Sequence, residues 1–225
     1  MRRYFPGQLL PLAIPLLLAL SPGGALAPSA ALAAGDLVLN ELLADPASDW
    51  TGDGEVDFKD DEWIEIANRG TSAVELGAYW VSDSVDDPTL RYRFSGSLAP
   101  GAVFLVTGAA AAAWQGENGA GSAGLSLSNT GGELALWKDQ GSETVLVDSV
   151  SYLTYQVQDD RAFGRFPLDG ADWILFDAMN IYHGNQLPGS TGCSPSPGQP
   201  NRCEGSATQA GAWGAVKQLY AGPGS

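Results

Sequence analysis

The residues best equipped for chemistry crowd together early in the chain. Nine acids fall between Asp45 and Glu65, against a single lysine, Lys59. Carboxylates packed that closely repel one another unless something positive sits among them. From Asp49 to Asp60 the stretch reads DWTGDGEVDFKD. Ca²⁺ takes roughly six to eight oxygen ligands, and a loop of about 12 residues supplies them from alternating positions. Asp49, Thr51 and Asp53 fall at the first, third and fifth positions of such a loop. Gly54 falls sixth, where the chain must turn sharply. Glu55 offers its backbone carbonyl at the seventh, Asp57 falls ninth and Asp60 twelfth.

This spacing resembles an EF-hand-type loop, and more closely the dockerin version, which ends in Asp. It departs from the fuller pattern at Thr51, a weaker hydroxyl ligand, and at Asp60, which is shorter than the usual Glu. Asp61 and Glu62 stand beside it as substitutes. The loop runs straight into a strand-like segment, WIEIAN at 63–68. That predicts a structural calcium clip without paired helices, binding on the order of 0.1–1 mM as exported modules do. The competing reading is a solvated acidic loop with no ion.

Other chemistry finds less support. His183 is the only histidine, which excludes a two-His metal site within one chain. No Gly-x-Ser-x-Gly motif supplies a nucleophile for it. Asp60, Asp61 and Glu62 suggest a nuclease metal site. Adjacent residues on a strand point to opposite faces, so they cannot jointly hold an ion without help from elsewhere.

The chain that must position these residues has 225 of them, with 11 Lys+Arg, 26 Asp+Glu and a net charge of −15. Its apolar fraction of 44% is enough for a core. The charge argues against a nucleic-acid partner, because binding to phosphate backbones is driven by Lys and Arg. Arg2 and Arg3, the apolar run at 9–20 and the small residues ending at Ala31-Leu32-Ala33 have the layout of a secretory signal. Residues 1–33 are read as that signal, cleaved after Ala33. The remaining 192 residues carry nine basic and 26 acidic side chains, −17 in all. No other stretch is apolar enough to span a bilayer. An exported chain meets an oxidising compartment, so Cys193 and Cys203 are expected to pair. After Cys203 the composition turns small and polar. Residues 204–225 read as a linker and short tail, either frayed or a docking and sorting tag.

Between signal and tail, short strand-like runs recur at 37–42, 63–68, 73–76, 78–82, 90–94, 103–107, 125–127, 133–137 and 145–152. Turn material such as Pro100-Gly101 and Asn129-Thr130-Gly131-Gly132 separates them. Such spacing predicts an all-β antiparallel sandwich or barrel. Residues 109–114 (AAAAAW) predict the one helical turn or two. Ile64 and Ile66 should face one side of their strand and Trp63 and Glu65 the other. Trp80 and Val81 are expected to line the core.

An ordered series of segments carries a resemblance. It runs LNE (39–41), EWIEIAN (62–68), VELGAYWVSD (74–83), LAPG (98–101), LSNTGGELAL (127–136), VDSVSY (147–152), GRFP (164–167) and PSPGQPN (195–201). In this order the segments resemble the lamin-tail domain as it occurs in exported bacterial proteins, over residues 36–203. The resemblance implies an immunoglobulin-like antiparallel β-sandwich, here residues 34–203 with the acidic loop 45–62 inserted. Two features depart from the pattern: that insert, which is unusual for eukaryotic lamin tails though bacterial members carry such inserts, and the long stretch 167–194 with Trp173, Phe176, Tyr182 and His183. Neither a heptad pattern nor a basic localisation run nor a prenylation motif points to a nuclear role.

These readings lead to an expected function. The protein is expected to be a non-enzymatic binding, adhesion or structural module, secreted or held at the cell surface or in the periplasm, braced by Ca²⁺. Its partner would be an envelope or extracellular ligand, protein or polysaccharide. Two alternatives stand beside it: a secreted hydrolase or nuclease-associated protein, and a structural envelope protein sorted by its tail. Trp173 and Tyr182 are candidates either for a contact surface or for covering the sandwich.

Overall fold

The computed structural model describes residues 36–179 and 189–203. The expected signal, the tail after Cys203, Tyr182 and His183 lie outside the described residues. Within them, eleven strands make an immunoglobulin-like antiparallel sandwich. One sheet has the order β11-β10-β1-β2-β7, the facing sheet β5-β4-β8-β9, and β3 and β6 form a small ribbon beside them. The strands are β1 (Leu37–Leu43), β2 (Trp63–Asn68), β3 (Val74–Glu75), β4 (Tyr79–Ser82), β5 (Tyr92–Arg93), β6 (Ser97–Leu98), β7 (Val103–Thr107), β8 (Gly131–Gln140), β9 (Glu143–Leu153), β10 (Ala162–Arg165) and β11 (Trp173–Phe176).

Side-chain alternation builds the main core. Leu37, Leu39, Leu42, Ile64, Ile66, Val106 and Phe163 point inward from the first sheet. Tyr79, Val81, Leu134, Leu136, Val150 and Tyr152 meet them from the second. A bulge between Leu39 and Glu41 leaves Asn40 as the extra residue of β1. It shifts the alternation, so that Leu39 and Leu42 both reach the core.

The opposite side of the first sheet is also covered. Every residue of β1 and β2 is buried, the pattern of strands sandwiched on both faces. The outward side chains Leu43, Trp63, Ala162, Phe176 and Cys193 form a second apolar cluster. Trp50, Leu105, Phe166, Ile174 and Cys203 pack on it. The cover is the segment 189–203, closed by the Cys193–Cys203 disulfide with its Cα atoms 5.2 Å apart. Trp173 packs against the main core, its ring tilted 36° to that of Phe163 with centroids 5.2 Å apart, and lies beneath the Arg165 guanidinium. It therefore belongs to the covering set.

Several expectations are corrected. Residues 125–127 are not a strand: Ser126 takes a left-handed φ of 59°. Leu125 and Leu127 are nonetheless buried. Trp80 turns away from the core that Val81 enters and stacks on Trp137, ring centroids 5.6 Å apart. The short strands β6, β10 and β11 were not foreseen. The helix α1 is longer than predicted, Gly108–Asn118, capped by Thr107, whose Oγ1 accepts from the Ala110 amide, and ended by Gly119 in the left-handed conformation.

The start of α1 fixes the end of the acidic loop. The Gly108 amide donates to the Glu62 carbonyl at 2.7 Å and the Ala109 amide to the Asp60 carbonyl at 3.1 Å. A Cβ on residue 108 would sit 1.6 Å from the Lys59 carbonyl oxygen, and backbone on both sides leaves no room to yield. Gly108→Ala is therefore expected to destabilise the fold by about 3 kcal/mol. Urea unfolding measures this, and a loss below about 0.5 kcal/mol would show that the contact is not a constraint.

Candidate functional site

The acidic loop connects β1 to β2, two buried neighbours in one sheet, so its ends are fixed while its middle projects. Asp61 organises the base. Its side chain is buried, and its Oδ1 accepts the amides of Trp50 (2.7 Å) and Thr51 (2.8 Å), while Oδ2 accepts that of Asp57 (2.8 Å). Asp160 secures the leading arm in the same way. Its Oδ1 accepts from the amides of Ala47 and Ser48 and from the Trp50 indole, and its Oδ2 from the Ser48 hydroxyl. A carboxylate holding several N–H groups replaces the hydration it loses on burial.

The exposed part of the loop follows the predicted turn. Asp49 accepts the amides of Gly52 (2.6 Å) and Asp53 (3.2 Å) and the Thr51 hydroxyl (3.3 Å) on Oδ1, and the Gly54 amide (2.8 Å) on Oδ2. These bonds, that from Gly54 foremost, hold the Asp49 carboxyl below the usual range, so it stays ionised. Gly54 has the left-handed φ, 94°, that its place in the turn demands. Asp53 accepts the Glu55 amide (2.9 Å). Asp57 accepts the amides of Lys59 (2.8 Å) and Asp60 (3.1 Å), which lower its pKa.

The six expected ligands thus split into two local turns. Asp49, Thr51 and Asp53 share one, with Glu55 bonded to its end, and Asp57 and Asp60 share the other. Among the described residues no three His, Cys, Asp or Glu side chains are grouped to hold a metal ion. Asp61 and Glu62, the substitute ligands, are occupied elsewhere. Glu62 is buried and accepts the Leu127 amide at 3.1 Å. Its burial pushes its pKa up to about 8. The tip carries two apolar side chains with no place in either core, Val56 and Phe58, 57% and 59% exposed.

The sequence reading missed Asp160, which lies some 110 positions along the chain from the amides it holds. No local pattern marks it. It also read Asp61 only as a substitute metal ligand, although its place just ahead of a fully buried strand was a usable sign.

A family model described as Lamin Tail Domain matches residues 30–154. The match takes in the acidic loop and β1 to β9. It stops short of β10, β11 and the disulfide-closed cover, over which the resemblance had also been read. No curated protein matches the chain.

The two neighbouring acids at the loop's end should behave differently. Asp61→Ala strands three amides and is expected to cost about 3 kcal/mol. In EDTA, Asp60→Ala, without that role, should cost less than about 0.5 kcal/mol. Thermal unfolding of both variants checks this, and equal losses would remove Asp61 from its place as organiser.

Proposed function

Because the chain belongs to the lamin tail domain family, an immunoglobulin-like module with structural or binding roles, we propose that it works as an exported, non-enzymatic binding or adhesion module. Its site of action is the cell surface or the space outside it, and its ligand is an envelope or extracellular protein or polysaccharide. The observation that carries this reading is the acidic loop. Buried aspartates clamp its base, and its crown of Asp53, Glu55, Val56, Asp57 and Phe58 is exposed. A stiff, solvent-facing loop on a sandwich suits recognition. The cystine bridge fits an oxidising compartment. No helix among the described residues is long and apolar enough to cross a membrane.

Calcium completes the proposal. Asp49, Thr51, Asp53, the Glu55 carbonyl, Asp57 and Asp60 would hold it, an all-oxygen set that suits a hard cation. Asp53 and Asp57 are exposed and Asp60 half-buried. The backbone already makes the tight turn at Gly52 and Gly54. The ion would supply the positive charge that the crowded acids lack.

The test is binding of envelope material by the protein with added Ca²⁺ and with EDTA, beside thermal melts. At 10 mM Ca²⁺ a site of sub-millimolar affinity adds about 2 kcal/mol, which raises the melting temperature by roughly 5 °C. Asp53→Ala should abolish that rise, and EDTA should weaken capture. A melt indifferent to Ca²⁺ in both proteins would remove calcium, and no capture in either condition would remove the adhesion role.

A further inference from the structure

A second pair of acids lies on the outer face of the first sheet, beneath the cover. Glu41 on β1 and Glu65 on β2 are register partners, 1% and 0% exposed. The cover supplies their partners. The Ser196 hydroxyl donates to Glu41 Oε2 (3.1 Å) and its amide to Oε1 (3.4 Å), and the Gly198 amide donates to Glu65 Oε2 (2.7 Å). Asn40 Nδ2 donates to Glu65 Oε1 (2.5 Å) and to Asn201 Oδ1 (2.8 Å). Asn201 Nδ2 in turn donates to the Arg165 carbonyl (3.0 Å). The packing is tight: a Cβ on Gly164, opposite Glu41, would meet Asn201, Glu41 and Phe176 within 3 Å.

This cluster is short of protons. The Ser196 hydroxyl has one hydrogen and two acceptors within reach, Glu41 Oε2 and Asn201 Oδ1 (3.3 Å). The side-chain Oδ1 of Asn40 is buried with no donor. Two ionised carboxylates would be acceptors only. A proton on Glu41 satisfies both acceptors around Ser196: its O–H donates to Ser196 Oγ, and the serine hydrogen passes to Asn201 Oδ1.

Among the described residues no cation relieves the pair either. β10 presents Ala162 and Gly164 on this side, β11 presents Phe176, and β7 presents Leu105, the register partner of Glu65. The Arg165 guanidinium is turned to Asp148 (2.9 Å) and the Leu39 carbonyl. On the cover, Arg202 is exposed, and Asp177 accepts from Ser190, Thr191 and Gly192.

We propose that Glu41 and Glu65 form a proton-held latch: while the pair keeps one proton, segment 189–203 stays closed over the outer face, and loss of that proton releases it. Burial, then the neighbouring charge of Glu65, pushes Glu41 up to about 8, and burial pushes Glu65 up to about 7. Both values lie above the 4.5 of a free glutamate. The folded state therefore binds more protons than the unfolded one across that window. The latch is complete below about pH 4.5 and weakens as pH rises through 7 to 8. It holds whether or not the acidic loop binds calcium.

Hydrogen exchange of the full chain tests the latch at the amides of Ser196 and Gly198. After correction for the intrinsic rate, their opening ratio should rise at least tenfold from pH 5.5 to 8.5. Glu41→Gln mimics the protonated acid and should make that rise several-fold smaller, leaving only the part that Glu65 carries. If it fails to fold, Glu65→Gln serves, by removing one of the two charges. Glu62→Gln, away from the cover, should keep the parent's profile. An opening ratio independent of pH in the parent, or an unchanged profile in Glu41→Gln, overturns the latch.

Discussion

Strands β1 and β2 are apolar or hydrogen-bonded along both sides, and the domain is arranged around the need to cover them. One side meets the second sheet in the ordinary way of a sandwich. The other carries Leu43 and Trp63 beside Glu41 and Glu65, and it requires a lid of its own. β10 widens the sheet beside β1, β11 extends it, and the disulfide-closed segment lies across the top. Closing a loop with a disulfide reduces the entropy lost when that loop is ordered. That suits a cover built of serine, proline and glycine with few large side chains. Placing acids under this lid then follows: carboxylates excluded from water must be neutral or held by donors, and here the lid supplies all but the Asn40 donor.

A second theme is how the irregular segments are kept in one conformation. Asp61, Asp160 and Asp177 are buried, and each accepts three or more hydrogen bonds, at least two of them from backbone amides. Asp49 does the same at the surface. Each gathers several otherwise unpaired N–H groups onto one charge, which balances its own desolvation. These bonds order the loops beyond their few apolar anchors, such as Trp50 on the second cluster, and leave the crown of the acidic loop exposed. In the acidic loop this gives a rigid base under a strongly negative tip. That is the physical content of reading it as a recognition loop, and it places the two exposed apolar residues, Val56 and Phe58, where a partner would reach them.

Much of this was legible in the sequence, for local reasons. Alternation put Ile64 and Ile66 opposite Trp63 and Glu65. The β-branched run VFLVT marked β7 to the residue, and the turn glycines stand where left-handed backbone is needed. The strands that escaped notice are short and take their order from neighbours: β10 and β11 have four residues each and exist because β1 offers a free edge. Residues 125–127 looked like a strand because Leu125 and Leu127 alternate with a serine. The left-handed Ser126 and the Glu62 carboxylate that accepts the Leu127 amide hold them in an irregular turn instead.

The sequence by itself determined the all-β class, the face each core residue of β2 takes, the turn at Asp49–Gly54 and the crowding of acids around it. These depend on residues a few positions apart, whose geometry the backbone dictates. Tertiary structure alone decided which acids are buried. Asp61 and Asp60 are adjacent and chemically identical, yet one anchors three amides and the other is half-exposed. Glu41 and Glu65 look like surface residues until a segment some 130 to 160 positions away closes over them. The fate of a carboxylate is set by whether water or a donor reaches it, and in this fold the donors arrive from distant parts of the chain.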